Sequence, residues 1–301
     1  MRRTSRVSVL VTVVALVAVA GCRGDSKPND TSPRQSATAY TYGKCRITGQ
    51  WSSFTLTPTT PGTLTVQTNL PSPGWWSGDS PETVDGGFEY CMAALIAHRT
   101  GLPRVTVTKV PFDALVAGRT DKFDIALAQI SITDERKEVV AFSAPYFSSD
   151  IGVLAKKGSD VTAENIRLKR LGAATGQTGA AFLQEKISPG SPVALFPDTA
   201  SLSAAVTSGQ IDAAISDTAV VLTFAKQSAG ALEVVGQYRT GEQYGALYPK
   251  SSTNVATINQ IIKQLQSDGS LNWLSQRWLG PAFGGDPSNV PYFTISSAFF
   301  T

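Results

Sequence analysis

Short apolar stretches typical of strands alternate along this chain with stretches of helical periodicity, and this alternation constrains the fold more than any other feature. One series of strands and helices begins at residue 62 and a second of similar length begins after residue 152. Because strands that alternate with helices pair mostly in parallel, the pattern predicts an α/β fold with two lobes. The predicted strands are Leu64–Val66, Val105–Val107, Phe123–Leu127, Leu171–Ala174, Val193–Phe196 and Ile211–Ile215. The predicted helices are Phe88–Arg99, Phe112–Ala117, Ala180–Lys186, Leu202–Thr207, Thr218–Lys226, Val255–Gln266 and Leu271–Leu279.

A polar turn and a short helix follow the third predicted strand, and they give the first indication of a ligand site. Gln129 and Ser131 follow the apolar strand residues, and Arg136 comes five residues after Ser131. Ligands of open α/β sheets bind at the carboxyl ends of the strands, and one helical turn brings the Arg136 guanidinium back over that end. Its planar set of donors fits a carboxylate. An exposed arginine paired with Asp134 or Glu138 is the alternative that the residues leave open.

The first 21 residues have the pattern of a signal peptide. Arg2, Arg3 and Arg6 precede the uncharged run Val7–Ala20, and small residues end that run just before Cys22. The run is short for a membrane span. The small residues that end in Gly-Cys are similar to a bacterial lipobox, which predicts cleavage before Cys22 and attachment of lipid to its sulfur and amine. A plain signal peptide with an incidental cysteine is the alternative.

The predicted mature chain begins with a tether at residues 22–39, where polar residues and prolines dominate and disorder is expected. An N-terminal extension at residues 40–61 follows, and its pattern indicates no particular structure. Removal of the three arginines of the signal peptide lowers the formal net charge from +3 to 0, so no nucleic-acid partner is expected. We expect a domain anchored by lipid to the outer face of a bacterial cell membrane.

Two cysteines remain after Cys22, and an oxidising exterior allows them to pair. Cys45 lies in the extension and Cys91 in a predicted helix, so a disulfide would attach the extension to the body of the domain. Two free thiols, with Cys91 buried on an apolar helix face, are the alternative. His98 is the sole histidine of the sequence and has no neighbours at metal-ligand spacing, so neither a metal nor a cofactor is expected.

Several stretches, in order across residues 62–280, together resemble the bacterial solute-binding proteins of ABC transporters for polar amino acids, family 3. The matching stretches are Gly62–Asn69, Gly87–Glu89, Val110–Leu115, Phe123–Ala126, Ile132–Arg136, Phe142–Phe147, Gly172–Gly179, Gly209–Ala213, Ser216–Asp217, Thr240–Gly245 and Leu271–Gly280. The resemblance implies a bilobed periplasmic-binding-protein-like fold of type II, with two open, mostly parallel sheets and a hinge of two segments. The implied hinge segments lie near residues 147–152 and 243–248. The implied lobe 1 comprises residues 62–150 and 246–301, and lobe 2 comprises residues 151–245.

The resemblance also implies a role for each matching site residue. Arg136 would hold the α-carboxylate of an amino acid, with further contacts to that carboxylate from Gln177 and Thr178 in lobe 2. Asp217 would accept hydrogen bonds from the α-ammonium, although a cap for the helix that begins at residue 218 would explain it equally well. The remaining implied ligand contacts are Gln129 and Ser131, through backbone and hydroxyl, and Phe112, through its ring.

The chain departs from the family pattern at three positions around the implied site. Asn69 stands where many relatives have an aspartate, Ser72 where many have an aromatic residue, and Ala128 where a serine is common. Without an aspartate at 69, we expect glutamine, glutamate, asparagine or aspartate as ligand rather than lysine or arginine. Trp75 or Trp76 is expected to take the place of the missing aromatic side chain.

The sequence therefore predicts a monomeric extracytoplasmic receptor that captures a polar amino acid and delivers it to an ABC permease in the membrane. A periplasmic dehydratase on the same scaffold is the alternative from another class, and it would have to use carboxylates such as Glu89 or Asp217. A ligand sensor that signals through a membrane partner is a third interpretation.

Overall fold

A computed structural model describes residues 42–295. The predicted signal peptide, the predicted lipidation site Cys22 and the predicted tether lie outside the described residues. Within this range no helix combines the length and the apolar character that a membrane span requires.

The strands and helices follow the predicted alternation, with most predicted elements recovered at nearly the same bounds. The strands are β1 (Thr63–Thr68), β2 (Arg104–Lys109), β3 (Ile125–Ala126), β4 (Val140–Phe142), β5 (Phe147–Lys156), β6 (Leu171–Ala174), β7 (Ala194–Phe196), β8 (Ala213–Asp217), β9 (Leu232–Tyr244) and β10 (Leu247–Pro249). The α-helices are α1 (Phe88–Arg99), α2 (Phe112–Val116), α3 (Asp134–Val139), α4 (Thr178–Phe182), α5 (Thr199–Ser208), α6 (Thr218–Gln227), α7 (Val255–Ser267), α8 (Ser270–Leu274) and α9 (Gly280–Phe283). π-Helical turns at Leu183–Ile187 and Ser275–Leu279 extend α4 and α8, and 3₁₀ turns occupy Ile166–Leu168 and Pro287–Asn289.

Two five-stranded sheets form the two lobes and have the same arrangement. Their strand orders are β2-β1-β3-β10-β4 in lobe 1 and β7-β6-β8-β5-β9 in lobe 2. In each sheet four strands run in one direction, and one returning strand, β10 or β5, runs against its two neighbours. The predicted bilobed fold with two mostly parallel sheets is therefore confirmed. The carboxyl ends of the parallel strands, where ligands of such sheets bind, carry the predicted site residues.

Two long antiparallel strands connect the lobes. β5 pairs with β9 from Phe147 opposite Tyr244 to Lys156 opposite Leu232, and the register shifts after Ser149. The Asp150 carboxylate accepts hydrogen bonds from the backbone N–H groups of Thr240 and Gly241, both at 2.8 Å. The predicted crossing segments coincide with the start of β5 and the end of β9. The sequence pattern did not indicate that both continue as long strands through lobe 2.

The C-terminal residues lie against lobe 2, which corrects the predicted assignment of all residues after 245 to lobe 1. We call residues 284–293 the C-terminal strap. Gln237 of β9 donates its backbone N–H to Pro291 at 2.9 Å and accepts from Phe293 N–H at 2.8 Å. The Tyr292 hydroxyl donates to Asp150 at 2.8 Å. β9 is the edge strand of its sheet, and the strap supplies partners for its exposed backbone groups.

The N-terminal extension packs onto lobe 1 and is joined to it covalently. A disulfide links Cys45 to Cys91, which is fully buried in α1. The buried Asp124 carboxylate accepts from Thr59 N–H at 2.6 Å and from Thr65 N–H at 2.7 Å, so it binds the extension to β1. The described extension is therefore part of the lobe 1 core.

The disulfide generates a prediction about stability. Replacing both Cys45 and Cys91 by serine should lower the free energy of unfolding by about 2–4 kcal/mol, because the unfolded chain regains the freedom of a long loop. Chemical denaturation of both proteins, with and without a reducing agent, measures this difference. Reduction should bring the unmodified protein to the stability of the variant and leave the variant unchanged. A reducing agent without effect on the unmodified protein would show that the cysteines are not paired.

Candidate functional site between the two lobes

A buried carboxylate fixes the turn that follows β3. Gln129 has a φ of 51°, in the left-handed region that residues other than glycine seldom adopt. Its backbone N–H donates to Glu89 at 2.8 Å, and its side-chain amide donates to the same carboxylate. Trp76 Nε1 and the Tyr146 hydroxyl also donate to Glu89, and the Ser72 hydroxyl donates to Gln129 Oε1 at 2.7 Å. Three of these hydrogen bonds hold Gln129 in a conformation that the turn would not adopt alone, and the other two fix the Glu89 carboxylate.

The short helix after the turn places a guanidinium over it, as the spacing predicts. The Thr133 side chain caps α3 by accepting from Arg136 N–H at 3.2 Å. The Arg136 guanidinium is buried and donates to the Ser131 carbonyl at 2.5 Å and to the Gly176 carbonyl at 2.8 Å. Ser131 belongs to lobe 1 and Gly176 to lobe 2. Arg136 therefore makes polar contacts with both lobes and is not a surface arginine.

Lobe 2 contributes its residues from the ends of two parallel strands. Gln177 and Thr178 follow β6, and the Gln177 amide is held by Ser216, which donates at 2.9 Å, and by Thr199, which accepts at 3.0 Å. Asp217 ends β8 and is 6% exposed. It occupies the position before α6, but its side chain makes no capping hydrogen bond there. The Asp217 carboxylate is thus available to the space between the lobes.

Most of the predicted site residues line one cavity between the lobes. Its volume is about 10 Å³, room for one water molecule at most, so the lobes are in close contact around it. Seven of the ten predicted ligand contacts line this cavity. They are Phe112, Gln129, Ser131 and Arg136 from lobe 1 and Gln177, Thr178 and Asp217 from lobe 2, joined by Ala128 and Val220.

The other three predicted contacts do not line the cavity. The Asn69 side chain donates to the Val110 carbonyl at 3.0 Å. Ser72 lies one hydrogen bond behind the cavity, on Gln129.

Trp75 is fully buried in the lobe 1 core, with ring centroids 5.0 Å from Phe147 and 5.7 Å from Tyr244. Trp76, the other aromatic candidate, is also buried. The expectation that either tryptophan covers the ligand is therefore wrong for this arrangement, because core packing takes both rings.

A site residue that the sequence reasoning missed lies on the hinge strand β9. The Glu242 carboxylate accepts hydrogen bonds from the Ser131 hydroxyl of lobe 1 and from the Thr178 hydroxyl of lobe 2, the latter at 2.9 Å. The stretch Thr240–Gly245 is one of those that resemble the family, and its one acidic residue was the signal that could have placed a carboxylate there. Glu242 joins the two lobes next to Arg136 and Asp217.

The charges of the site influence one another strongly. Burial and the nearby Glu242 carboxylate raise the pKa of Asp217 to about 8. Burial lowers the pKa of the Arg136 guanidinium, and the nearby carboxylates of Asp217 and Glu242 act in the opposite direction. Arg136 stays cationic at neutral pH, since arginine does not deprotonate in proteins. The cavity therefore presents a cation from lobe 1 and an acidic group from lobe 2.

The arrangement suits a ligand that carries an anionic and a cationic group, and it offers little for metal binding. Among residues 42–295 no cluster of three or more histidine, cysteine, aspartate or glutamate side chains could hold a metal ion. Glu89, one of the two carboxylates considered for a dehydratase, is fully buried behind the turn and bonded to protein donors. It has no contact with the cavity.

The fold and the cavity define a two-lobed solute-binding protein whose ligand site lies between the lobes. The model of the bacterial extracellular solute-binding proteins, family 3, matches residues 64–281. The chain belongs to this family. The predicted family is therefore confirmed.

Proteins similar to this chain bind amino acids. The L-cystine-binding protein TcyJ of Escherichia coli strain K12 is 29% identical over 199 residues, which cover 64% of this chain and 74% of TcyJ. The ABC transporter glutamine-binding protein GlnH of Bacillus subtilis strain 168 is 32% identical over 159 residues, covering 52% and 58%. The structure of an ancestral arginine-binding protein bound to glutamine is 29% identical, with a TM-score of 0.66, and the match covers 73% of this chain and 99% of that one. The chain is thus similar to amino-acid receptors of ABC transporters.

The raised pKa of Asp217 predicts how stability depends on pH. The folded chain keeps the Asp217 proton up to about pH 8, whereas the unfolded chain loses it near the ordinary aspartate pKa of 3.8. Between these values the folded chain binds more protons, so the contribution of Asp217 to the free energy of unfolding falls as pH rises.

Replacing Asp217 by asparagine should remove this contribution. We expect the unmodified protein to lose stability relative to the variant between pH 5 and pH 8, measured by chemical denaturation without added amino acid. At each pH the free energy of unfolding of the variant is subtracted from that of the unmodified protein. This subtraction removes the contribution of titrating groups that both proteins contain. A difference that does not change with pH would contradict the assignment.

Proposed function

We propose that this protein is an extracytoplasmic receptor that binds a polar amino acid between its lobes and delivers it to an ABC permease. The single observation that supports the proposal most is the pairing of opposite groups in one cavity. A buried guanidinium, Arg136, comes from lobe 1, and a buried carboxyl group, Asp217, comes from lobe 2. The two ends of an amino-acid zwitterion require groups of these two signs.

Arg136 and the start of α4 form the end that would receive the α-carboxylate. The guanidinium presents a planar set of donors and already touches both lobes through the Ser131 and Gly176 carbonyls. The Thr178 hydroxyl lies beside it and donates to Glu242 at 2.9 Å, so it would have to turn from Glu242 to donate to a ligand carboxylate. A ligand carboxylate at this point would bind groups from both lobes at once, and binding would therefore favour the closed arrangement.

Asp217 forms the end that would receive the α-ammonium. Its carboxyl group carries a proton below about pH 8 because it is buried next to Glu242. A ligand ammonium would replace that proton as the partner of the carboxylate. Phe112 and Val220 supply apolar surface beside the polar groups, where the ligand side chain would pack.

The expectation of a ligand with an uncharged or acidic side chain rested on Asn69. The Asn69 side chain donates to the Val110 carbonyl. That expectation also took no account of Glu242, whose carboxylate accepts from the Thr178 hydroxyl of the cavity. The choice among polar amino acids therefore depends on Glu242 rather than on Asn69.

Binding to an amino acid is the test of this proposal. The purified protein, unfolded and refolded to remove any ligand carried from the cell, is titrated calorimetrically with each of the twenty amino acids. Saturable one-to-one binding to one amino acid or to a related group is expected. Replacing Arg136 by lysine should weaken that binding more than about tenfold, because lysine keeps the charge and loses the planar pair of donors.

Arg170→Lys is the matched control for the arginine variant. Arg170 is exposed, pairs with Asp212 in lobe 2 and does not line the cavity, so this change should leave the affinity intact. If no amino acid binds, the proposed function is wrong. If Arg136→Lys binds as tightly as the unmodified protein, the assignment of the carboxylate end is wrong.

The proposed function includes a lipid anchor at Cys22, which precedes the described residues. Replacing Cys22 by alanine should move the protein from the membrane fraction to the soluble fraction when it is produced in a bacterium that processes lipoproteins. The distribution is measured by immunoblot after ultracentrifugation. An unchanged membrane fraction would contradict attachment through Cys22.

A further inference from the structure

Glu242 is hydrogen-bonded to two residues that line the cavity. It lies on β9 two residues before this strand leaves lobe 2, and its carboxylate accepts from hydroxyl groups of both lobes. The two donors, Ser131 and Thr178, both line the cavity. Glu242 therefore lies one hydrogen bond from the residues that line the cavity, on the strand that joins the two lobes.

Glu242 and Asp217 lie close together. The Thr178 hydroxyl oxygen is 2.9 Å from Glu242 Oε2 and 3.5 Å from Asp217 Oδ1. Two carboxyl groups are thus within reach of one hydroxyl. Two carboxylates at such a separation repel each other unless a cation or a proton lies between them.

The charges around the cavity do not balance once Asp217 has given up its proton to take a ligand ammonium as partner. Among the described residues, those that line the cavity or bond its hydroxyl groups include one cation, Arg136, and two acidic groups, Asp217 and Glu242. Glu135, exposed on α3, adds negative charge near Arg136. Closure around a ligand removes water from these groups, and a carboxylate left without a partner is then costly.

An amino acid with an uncharged side chain would leave one carboxylate without a cationic partner. Its α-carboxylate would pair with Arg136 and its α-ammonium with Asp217, and Glu242 would remain. An acidic side chain would add a further negative charge beside Glu242. A second cationic group on the ligand would complete the balance of charge in the closed site.

We propose that Glu242 determines specificity and selects amino acids with a basic side chain over those with an uncharged or acidic one. This inference rests on the proposed function, since it concerns the ligand of the same site. It replaces the expectation drawn from Asn69. Glu242 is partly exposed, so the preference should be of moderate size, about tenfold, and not absolute.

The test compares Glu242→Gln with the unmodified protein in calorimetric titrations against arginine, lysine, ornithine, glutamine and glutamate. The substitution removes the charge and keeps the size of the side chain. Glu233→Gln is the matched control, because Glu233 lies on the same strand and bonds Gly158 N–H at its other end. Thermal unfolding of both variants verifies that they are folded.

The unmodified protein is expected to bind at least one of the basic amino acids about tenfold more tightly than glutamine. Glu242→Gln should reduce or abolish that ratio, and Glu233→Gln should leave it unchanged. An equal loss of affinity for basic and uncharged ligands would overturn the inference, because Glu242 would then bind a group common to all amino acids. A preference for glutamine or glutamate in the unmodified protein would also overturn it.

These outcomes separate the inference from the proposed function. Binding of glutamine with no effect of Glu242→Gln on selectivity would leave the amino-acid receptor intact and remove only the role of Glu242. The absence of binding to all twenty amino acids would remove both.

Discussion

The site depends on the hydrogen bonds that the buried carboxylate of Glu89 accepts. Gln129 takes a backbone conformation that is unfavourable for its residue type, and Glu89 compensates by accepting from both its backbone and its side chain. The same carboxylate binds Trp76 and Tyr146, so α1, the loop before it and the turn after β3 are held as one unit. The position of Ser131 and Arg136 follows from that unit. A carboxyl group outside the cavity thus sets the geometry inside it.

Each lobe supplies one half of a site that neither could form alone. Arg136 belongs to lobe 1 and contacts a carbonyl of lobe 2, and the Asp217 carboxyl group at the end of β8 lies in the same cavity. Glu242 comes from the strand that joins the lobes. Under the proposed function, ligand charge and lobe closure are linked, because the groups that would bind the ligand come from both lobes.

The sequence was informative where structure is local and less so where partners are distant in the chain. The helix at Phe88–Arg99 and the placement of Arg136 over its turn follow from apolar spacing and from one helical turn. The strands β5 and β9 were missed as long strands, because their pairing joins residues far apart in the chain, such as Phe147 and Tyr244. Trp75 and Asn69 were misplaced for the same reason, since their partners come from other segments. Glu242 could be assigned to the site only from the structure, which places it beside Ser131.

The C-terminal strap gives the molecule a third connection between its halves. The chain leaves the lobe 1 core at Phe283, passes through Gly284 and Gly285, and is then fixed to β9 and to Asp150. Asp150 binds β9 and the strap with the same carboxylate, so the two connecting strands and the C-terminal strap share one anchor. Any relative motion of the lobes must therefore be accommodated by three connections and not by two. In the third connection the residues with the greatest backbone freedom are the adjacent glycines Gly284 and Gly285.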